Sequence, residues 1–199
     1  MNRNRKTTTL MVLGMAAFSG AMLSAIGNPP AQDAAATQKK ARVERGAYMV
    51  TIMGCNDCHT PWKMGAQGPE PDMARALSGH PADMKLPPPP AAAGPWIWSG
   101  AATNTAFAGP WGVSFTANLT PDKETGLGSW TEEMFLATFR TARHQGKGRE
   151  ILPPMPVKMI GKATDEDLKS IFAYLQSLAP VKNKVPAPVD PVETTEVKK

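Results

Sequence analysis

The sequence predicts an all-α fold of three to five helices joined by long irregular connections. Three segments place apolar residues at helical spacing, namely residues 38–53, 130–143 and 164–180. Between the first two, residues 60–116 are rich in Pro and Gly and contain no long periodic segment, apart from a possible short helix near residues 71–77. We therefore expect the helices to share one core and the long connection to form an ordered but irregular wrap.

The first predicted helix carries a glycine in its interior. Val43, Gly46, Ala47 and Val50 fall at positions i, i+3, i+4 and i+7, which lie on one stripe of a helix, and Gly54 can end it. A glycine inside a helix costs about 1 kcal/mol relative to alanine. Close approach of another helix at Gly46 would explain why the glycine is there.

The two later helices begin with capping signals. Ser129 and Glu132 have the spacing of a capping box, which predicts a helix over residues 130–143. Thr164 precedes three acidic residues, which are favourable at a helix N-terminus, and an apolar stripe then continues until Pro180. The last helix is therefore expected to begin near Thr164 and to stop before Pro180.

A Cys-x-x-Cys-His run follows the first helix directly. Cys55 and Cys58 are the only two cysteines among 199 residues, and His59 comes immediately after the second. Such a run is the attachment site of a c-type haem, because two thiols at this spacing can bond to the porphyrin vinyl groups while the adjacent imidazole ligates the iron. We predict one haem c, linked covalently through Cys55 and Cys58, with His59 as the first axial ligand.

The same cysteine spacing also occurs in zinc sites, structural disulfides and thioredoxin-like redox pairs. A four-ligand zinc site is disfavoured, because the other two histidines, His80 and His144, lie far away along the chain. A thioredoxin-like pair opens a helix after a strand, whereas this pair closes a helix-like stretch. The adjacent histidine favours the haem interpretation.

Methionines supply the candidates for the second axial ligand. Met155 lies in a Leu-Pro-Pro-Met-Pro run, residues 152–156, between the two late helices. The prolines restrict the backbone and remove competing N–H donors, so that the loop can hold a thioether toward the iron at low entropic cost. Met159 is the second candidate, and simple packing of Met155 in the core is the alternative.

The amino terminus has the features of an export signal. Arg3, Arg5 and Lys6 precede an apolar run over residues 10–26, which ends in small residues that suit a signal peptidase. We expect residues 1–27 to direct the chain to the periplasm, with an uncleaved anchor in the inner membrane as the alternative. Export agrees with haem c, which is attached on the outer side of the bacterial inner membrane.

The composition of the rest of the chain predicts a leader, a folded domain and a tail. Residues 28–37 lack apolar periodicity and are typical of a flexible leader, residues 38–180 form the folded domain, and residues 181–199 are expected to be a disordered Pro-rich tail. The formal net charge is +5, to which the signal cations contribute. No basic run interleaved with aromatic residues indicates nucleic-acid binding.

Four blocks of the sequence carry a resemblance to a known family. They are Cys55-x-x-Cys58-His59-Thr60-Pro61, Ala117-Asn118-Leu119-Thr120-Pro121-Asp122 with Thr125-Gly126-Leu127-Gly128-x-Trp130, Leu152-Pro153-Pro154-Met155-Pro156, and Asp165-Glu166-Asp167-Leu168 with Ala173-Tyr174-Leu175. Over about residues 38–180 the chain resembles class I c-type cytochromes, in particular a bacterial subgroup that includes cytochrome subunits of membrane-associated dehydrogenases.

The resemblance implies the cytochrome c fold, with several helices around one covalently attached haem. The first and last helices cross in this fold, so that Gly46 would meet the aromatic face of Phe172 or Tyr174. The chain differs from tandem members of the family in holding a single Cys-x-x-Cys-His motif, and from the smallest members in the long insertion over residues 60–116. It is therefore expected to hold one haem.

Several side chains are candidates for contacts around the haem. We expect His59 to donate its second ring N–H to a backbone carbonyl, for example of a proline within residues 61–71. Arg149 and Trp130 could donate to a propionate, although Arg149 could equally be a solvated surface residue, and His144 is not expected to be a ligand. The insertion offers large apolar side chains that either cover the porphyrin face or pack on one another: Trp62, Leu77, Trp96, Trp98 and Trp111.

An iron bound by both His59 and Met155 has no open coordination position. Such a centre favours outer-sphere one-electron transfer. We therefore expect a periplasmic electron carrier rather than an enzyme, with a dehydrogenase, an oxidase or a membrane electron-transfer complex as its redox partner. Two alternatives remain: a haem enzyme or gas sensor in which Met155 dissociates, and a fixed electron-transfer subunit of a dehydrogenase complex.

Overall fold

The computed structural model describes residues 31–90 and 95–191. The predicted export signal, residues 1–27, lies outside the described residues, as do residues 28–30 of the predicted leader and residues 192–199 of the predicted tail. Within the described ranges, none of the helices combines the length and the apolar character needed to cross a bilayer.

The described residues form five α-helices, two short 3-10 helices and five strands. The α-helices are α1 (Ala31–Ile52), α2 (Cys55–His59), α3 (Glu132–Thr141), α4 (Val157–Ile160) and α5 (Asp165–Ser177). The 3-10 helices span Met73–Arg75 and His144–Gly146. The strands are β1 (Trp62–Gly65), β2 (Gly68–Pro71), β3 (Ser99–Gly100), β4 (Ala106–Gly109) and β5 (Gly112–Phe115).

Helices α1 and α5 pack against each other with backbone contact at Gly46. A Cβ atom built on Gly46 would lie 1.9 Å from the backbone oxygen of Ser170 and 2.7 Å from Cβ of Tyr174. The prediction that another helix approaches Gly46 is confirmed. The nearest atoms belong to the α5 backbone and the base of Tyr174, not to an aromatic face of Phe172 or Tyr174, because the helices lie too close for a ring to enter between them.

A single hydrophobic core joins α1 and α5 to α3. The ring of Phe135 on α3 lies 5.1 Å from that of Phe172 on α5 and 5.0 Å from that of Phe139. The buried members of the core are Met49, Val50, Leu77, Leu127, Phe135, Ile160, Leu168, Ile171, Phe172 and Leu175. Side chains from four helices, α1, α3, α4 and α5, and from the intervening loops therefore exclude water together.

The predicted N-terminal cap is confirmed for α5 and is wrong for α3. Thr164 caps α5 by accepting a hydrogen bond from the backbone N–H of Asp167 at 3.1 Å. In α3 the cap is Thr131, which accepts from the N–H of Met134 at 3.2 Å, and not Ser129. The backbone of Thr131 is extended, with φ −91° and ψ 163°, so that the helix cannot include Trp130 and begins two residues later than predicted.

The all-α prediction is incomplete, because the insertion over residues 60–116 contains two small antiparallel sheets. Strands β1 and β2 form a hairpin, and the second sheet has the order β3-β4-β5. Each strand has two to four residues. Strands this short leave no clear alternation of polar and apolar residues in the sequence. The short helix predicted near residues 71–77 is the 3-10 helix Met73–Arg75.

Both ends of the described chain are more ordered than their composition suggests. Residues 31–37, predicted as flexible leader, belong to α1, which extends into solvent beyond the core. Residues 181–191, predicted as disordered tail, lie along the domain, and the backbones of Val113 and Val189 exchange hydrogen bonds of 2.8 and 2.9 Å. We refer to residues 181–191 as the C-terminal strap. Its polar groups find partners on the domain, which compensates for its small content of large apolar side chains.

Replacing Gly46 by alanine should lower the free energy of unfolding by about 1–3 kcal/mol, because the added methyl group overlaps the Ser170 carbonyl. Helix propensity alone predicts the opposite sign, a gain of about 1 kcal/mol. Denaturant unfolding followed by helical circular dichroism distinguishes the two. Ala41→Gly, at an exposed position of α1, is the matched control for propensity. Stabilisation by Gly46→Ala would contradict the close packing of α1 on α5.

Candidate haem-binding site

Both cysteines lie on α2, the short helix that follows α1. Both are free thiols and both are half-buried. Burial raises the pKa of Cys55 to about 11 and also raises the pKa of Cys58, so both remain protonated at neutral pH. The structure therefore gives no support to a disulfide between them. In the described ranges, no group of three or more His, Cys, Asp or Glu side chains is arranged to hold a metal, which leaves a zinc site without its remaining ligands.

His59 at the end of α2 is buried and held by one hydrogen bond. Its Nδ1 lies 2.8 Å from the backbone oxygen of Ala117. Because a carbonyl only accepts, Nδ1 must carry the proton, and Nε2 keeps its lone pair. Burial lowers the pKa of His59, and the bond to Ala117 offsets this only in part, so the imidazole is neutral near pH 7. This is the tautomer and charge state that an iron ligand requires.

The acceptor of this bond is a backbone carbonyl, as predicted, but in a different segment of the chain. It belongs to Ala117, after the end of β5, and not to a proline within residues 61–71. The two segments are nearly sixty positions apart in the chain, and only the folding of the insertion brings them together.

A second histidine, His80, is also buried but is enclosed on all sides. Its Nδ1 lies 2.9 Å from Oγ1 of Thr105, and its ring packs 4.9 Å from that of Phe115. In the part of the chain that the structure describes, the buried side-chain atoms without a hydrogen-bond partner are Trp62 Nε1, His80 Nε2 and Thr116 Oγ1. Nε2 of His59 is not among them. Of these two buried histidines, His59 is the one whose second nitrogen is open to a ligand.

Cys55 and Met155 both pack against the same hydrophobic core, although a hundred residues separate them in the chain. Both are partly buried and pack against the core formed by α1, α3 and α5. The Met155 loop is held by Ser114, whose hydroxyl donates to the backbone oxygen of Pro153 at 2.6 Å. Two free thiols, a neutral imidazole and this apolar surface fit the requirements of a covalently attached porphyrin.

The two candidate methionines occupy different environments. Met155 is half-buried against the core, whereas the side chain of Met159 on α4 is 69% exposed. An axial thioether must point into the interior, where it can be held against the iron. The environment therefore favours Met155.

The large side chains of the insertion do not form one cluster. Leu77 is part of the hydrophobic core, and Trp111 donates to the Ser114 hydroxyl at 3.3 Å. Trp98 packs edge-on against Phe107, with ring centres 5.8 Å apart, and is 46% exposed. Trp96 is 77% exposed. Trp96 therefore does not pack on the other large side chains of the insertion, whereas Trp98 packs on Phe107.

The two candidate propionate donors also differ. Trp130 packs against the core and meets the ring of His144 edge-on at 4.9 Å. Arg149 is exposed, and its guanidinium donates to the backbone oxygen of Glu150 at 3.0 Å. Of the two, Trp130 is the one that packs against the same hydrophobic core as Cys55 and Met155.

Sequence reasoning missed the residues that support His59. Thr60 is fully buried, and its hydroxyl donates to Asn56 and accepts the backbone N–H of Leu77, both at 3.0 Å. The backbone N–H of Gly79 donates to the backbone oxygen of His59 at 2.8 Å. Ala117 and its neighbours lie in the Asn-Leu-Thr-Pro-Asp block, whose unusual composition was the one available signal.

Comparison with known proteins gives a consistent set of relatives, although no protein-family model matches the chain. The cytochrome c subunit of a quinone-dependent alcohol dehydrogenase from Gluconobacter oxydans is 27% identical over 175 residues, which cover 86% of this chain and 28% of that subunit. The fructose dehydrogenase cytochrome subunit of Gluconobacter japonicus is 26% identical over 148 residues, 74% of this chain and 24% of that subunit.

A third relative matches a shorter part of this chain. A nicotinate dehydrogenase subunit of Pseudomonas putida is 36% identical over 81 residues, which cover 39% of this chain and 6% of that protein. The chain thus spans less than a third of the length of each of these curated relatives. Together with the Cys55–His59 motif and the neutral, ligand-ready His59, the likeness over most of the chain supports a cytochrome c domain of the kind found in dehydrogenase cytochrome subunits.

Proposed function

We propose that this chain transfers single electrons through one haem c, attached to Cys55 and Cys58 and ligated by His59 and Met155. The bound haem supplies the reversible one-electron chemistry of its iron. The observation that carries the proposal is the hydrogen bond from His59 Nδ1 to Ala117. It presents a neutral imidazole, with its other nitrogen free, directly beside two free thiols.

The protein's own residues supply binding and control of the environment. The Ala117 carbonyl orients His59 and increases the basicity of its imidazole. The apolar side chains around Cys55 and Met155 exclude water. A methionine ligand raises the reduction potential relative to a second histidine and fills the coordination position that a small substrate would need. These features favour electron transfer over catalysis at the iron.

Location and partners follow from the amino terminus and the relatives. The predicted signal over residues 1–27 would place the domain in the periplasm. Relatives that match most of the chain are named as cytochrome subunits of dehydrogenases, which supports an electron-transfer component that accepts electrons from a dehydrogenase. In the first form of this proposal, the protein is a freely diffusing electron carrier.

A fixed subunit of a dehydrogenase complex is the second form, and one surface favours it. Residues 86–121 contain no charged side chain. Within this stretch, Trp96, Ile97 and Trp98 are 77%, 61% and 46% exposed. Permanent interfaces are more apolar and poorer in charge than transient ones, and tryptophan is enriched in them. Purification at native abundance separates the two forms, because a carrier elutes alone and a subunit elutes with its dehydrogenase.

Protein from a strain competent in haem c maturation should have the mass of the processed chain plus one haem, and should retain the haem after denaturation. Intact-mass analysis and haem staining of a denaturing gel measure this, and the mass also reports signal cleavage. The double variant Cys55→Ser, Cys58→Ser is the matched control and should lose the denaturation-resistant haem. An unmodified mass in the wild type would end the proposal.

Met155→Ala should convert a low-spin spectrum with a methionine-sulfur charge-transfer band into a high-spin ferric spectrum, because the iron loses its second protein ligand. Absorption spectroscopy of the ferric holoprotein measures the change. Met159→Ala removes a methionine four residues further on, on α4, whose side chain is 69% exposed, and should leave the spectrum unchanged. Loss of the band in Met159→Ala instead would assign the ligand to Met159. A high-spin wild type that binds carbon monoxide rapidly would favour the gas-sensor alternative.

A further inference from the structure

The C-terminal strap crosses the segment that holds His59. Its backbone meets the Asn-Leu-Thr-Pro-Asp block at Val181, whose oxygen accepts from the side-chain amide of Asn118 at 2.8 Å. The N–H of Val181 in turn donates to the hydroxyl of Thr120 at 3.0 Å. Asn118 directly follows Ala117, so the strap is bonded to the residue next to the carbonyl that His59 uses.

Asn118 joins the strap to Thr120 through both the oxygen and the amide nitrogen of its side chain. Its Oδ1 accepts from the N–H of Thr120 at 3.0 Å and from the Thr120 hydroxyl at 2.7 Å, while its amide donates to the strap. The residue is 3% exposed. Hydrogen bonds at this depth are costly to break without replacement, because the freed groups find no water.

Asn183, two residues further along the strap, reaches across to the loop over residues 78–82. Its side-chain amide donates to the backbone oxygens of Ser78 at 2.7 Å and His80 at 2.9 Å. Its Oδ1 accepts from the N–H of Ala82 at 2.9 Å. Both donor hydrogens and the acceptor of one side chain are therefore engaged by three groups of the same loop.

This loop lies directly against the acceptor of the His59 bond. The N–H of Gly79 donates to the backbone oxygen of His59 at 2.8 Å, and that of His80 donates to Thr116 at 3.0 Å. A Cβ atom on Gly79, which has a φ of +77°, would lie 2.7 Å from the oxygen of Ala117. The loop backbone is therefore packed directly against the Ala117 carbonyl and bonded to the residues on both sides of the His59–Ala117 contact.

We propose that Asn183 is a positioning residue for His59. By holding residues 78–82 against residues 116–118, it keeps the Ala117 carbonyl within hydrogen-bond distance of His59 Nδ1 and so contributes to the reduction potential of the bound haem. The proposal rests on the proposed function, since the potential is that of the attached haem. It assigns a role to a segment whose composition is that of a disordered tail.

The direction of the effect follows from the hydrogen bond. A strong bond from Nδ1 to a carbonyl increases electron donation by the imidazole, which stabilises the ferric state. We call the contact of Asn183 with residues 78–82 the clamp. Loosening the clamp weakens the bond between His59 Nδ1 and the Ala117 carbonyl. The ferric state then loses stabilisation relative to the ferrous state, and the reduction potential rises.

The test compares holoprotein variants by spectroelectrochemical titration. Asn183→Ala removes the side chain that holds the loop, and Asn183→Leu removes its hydrogen bonds while keeping the number and branching of its heavy atoms and its lack of charge. Both should have a higher potential than the wild type. Lys182→Ala is the matched control, because Lys182 belongs to the same strap but makes only an exposed ion pair with Glu124. It should keep the wild-type potential.

Thermal unfolding of the same proteins separates positioning from simple stabilisation. A lower melting temperature of both Asn183 variants with an unchanged potential would overturn the proposal, as would an equal shift in Lys182→Ala. If neither Asn183 variant matures, Thr125→Val replaces them, because it removes the hydroxyl that accepts from the backbone N–H of Asn183 at 3.0 Å and from the side-chain amide of Asn118 at 3.2 Å.

Amide hydrogen exchange over residues 78–82 tests the role of Asn183 separately from the proposed electron-transfer function. Faster exchange is expected in the Asn183 variants and not in Lys182→Ala. If the wild type carries no haem at all, the proposed function fails, and the exchange data still report whether the strap clamps this loop. Unchanged exchange in the Asn183 variants would show that the clamp does not exist.

Discussion

The hydrogen bond between His59 Nδ1 and the Ala117 carbonyl is the contact on which the site depends. It determines the tautomer of the imidazole, its orientation and the availability of Nε2. It also joins α2 to the far end of the insertion. Its geometry therefore depends on every element that keeps these two segments together, including the sheets and the C-terminal strap.

The scaffold beneath this contact is the packing of α1 on α5. Gly46 permits the α1 backbone to touch the carbonyl of Ser170, and α1 then leads through Gly54 into the cysteines of α2. The same core accepts the flank of Cys55 and the Met155 loop. One packing arrangement thus positions the covalent attachment site and brings the candidate second ligand to the same surface.

The insertion and the strap hold the segments around His59 in place, as the helices hold the hydrophobic core. The strap has few large apolar side chains, and the insertion leaves several of its own, such as Trp96 and Trp98, exposed. Thr60, Asn118 and Asn183 instead pair buried polar groups across segments that are distant in sequence. Such bonds contribute order because each unpaired group would incur a desolvation cost. This explains how a segment with the composition of a tail becomes an ordered part of the domain.

The sequence by itself determined the local chemistry and the long helices. Cys55, Cys58 and His59 form a contiguous motif, the apolar stripe of α5 has clear helical periodicity, and Thr164 is a local cap. The Met155 loop was recognisable from its prolines. Only the tertiary structure decided that Ala117 accepts from His59, that Thr131 replaces Ser129 as the cap of α3, and that residues 181–191 are a strap. These features depend on hydrogen bonds between segments far apart in the chain, or on competition between neighbouring turns, and no local pattern records either.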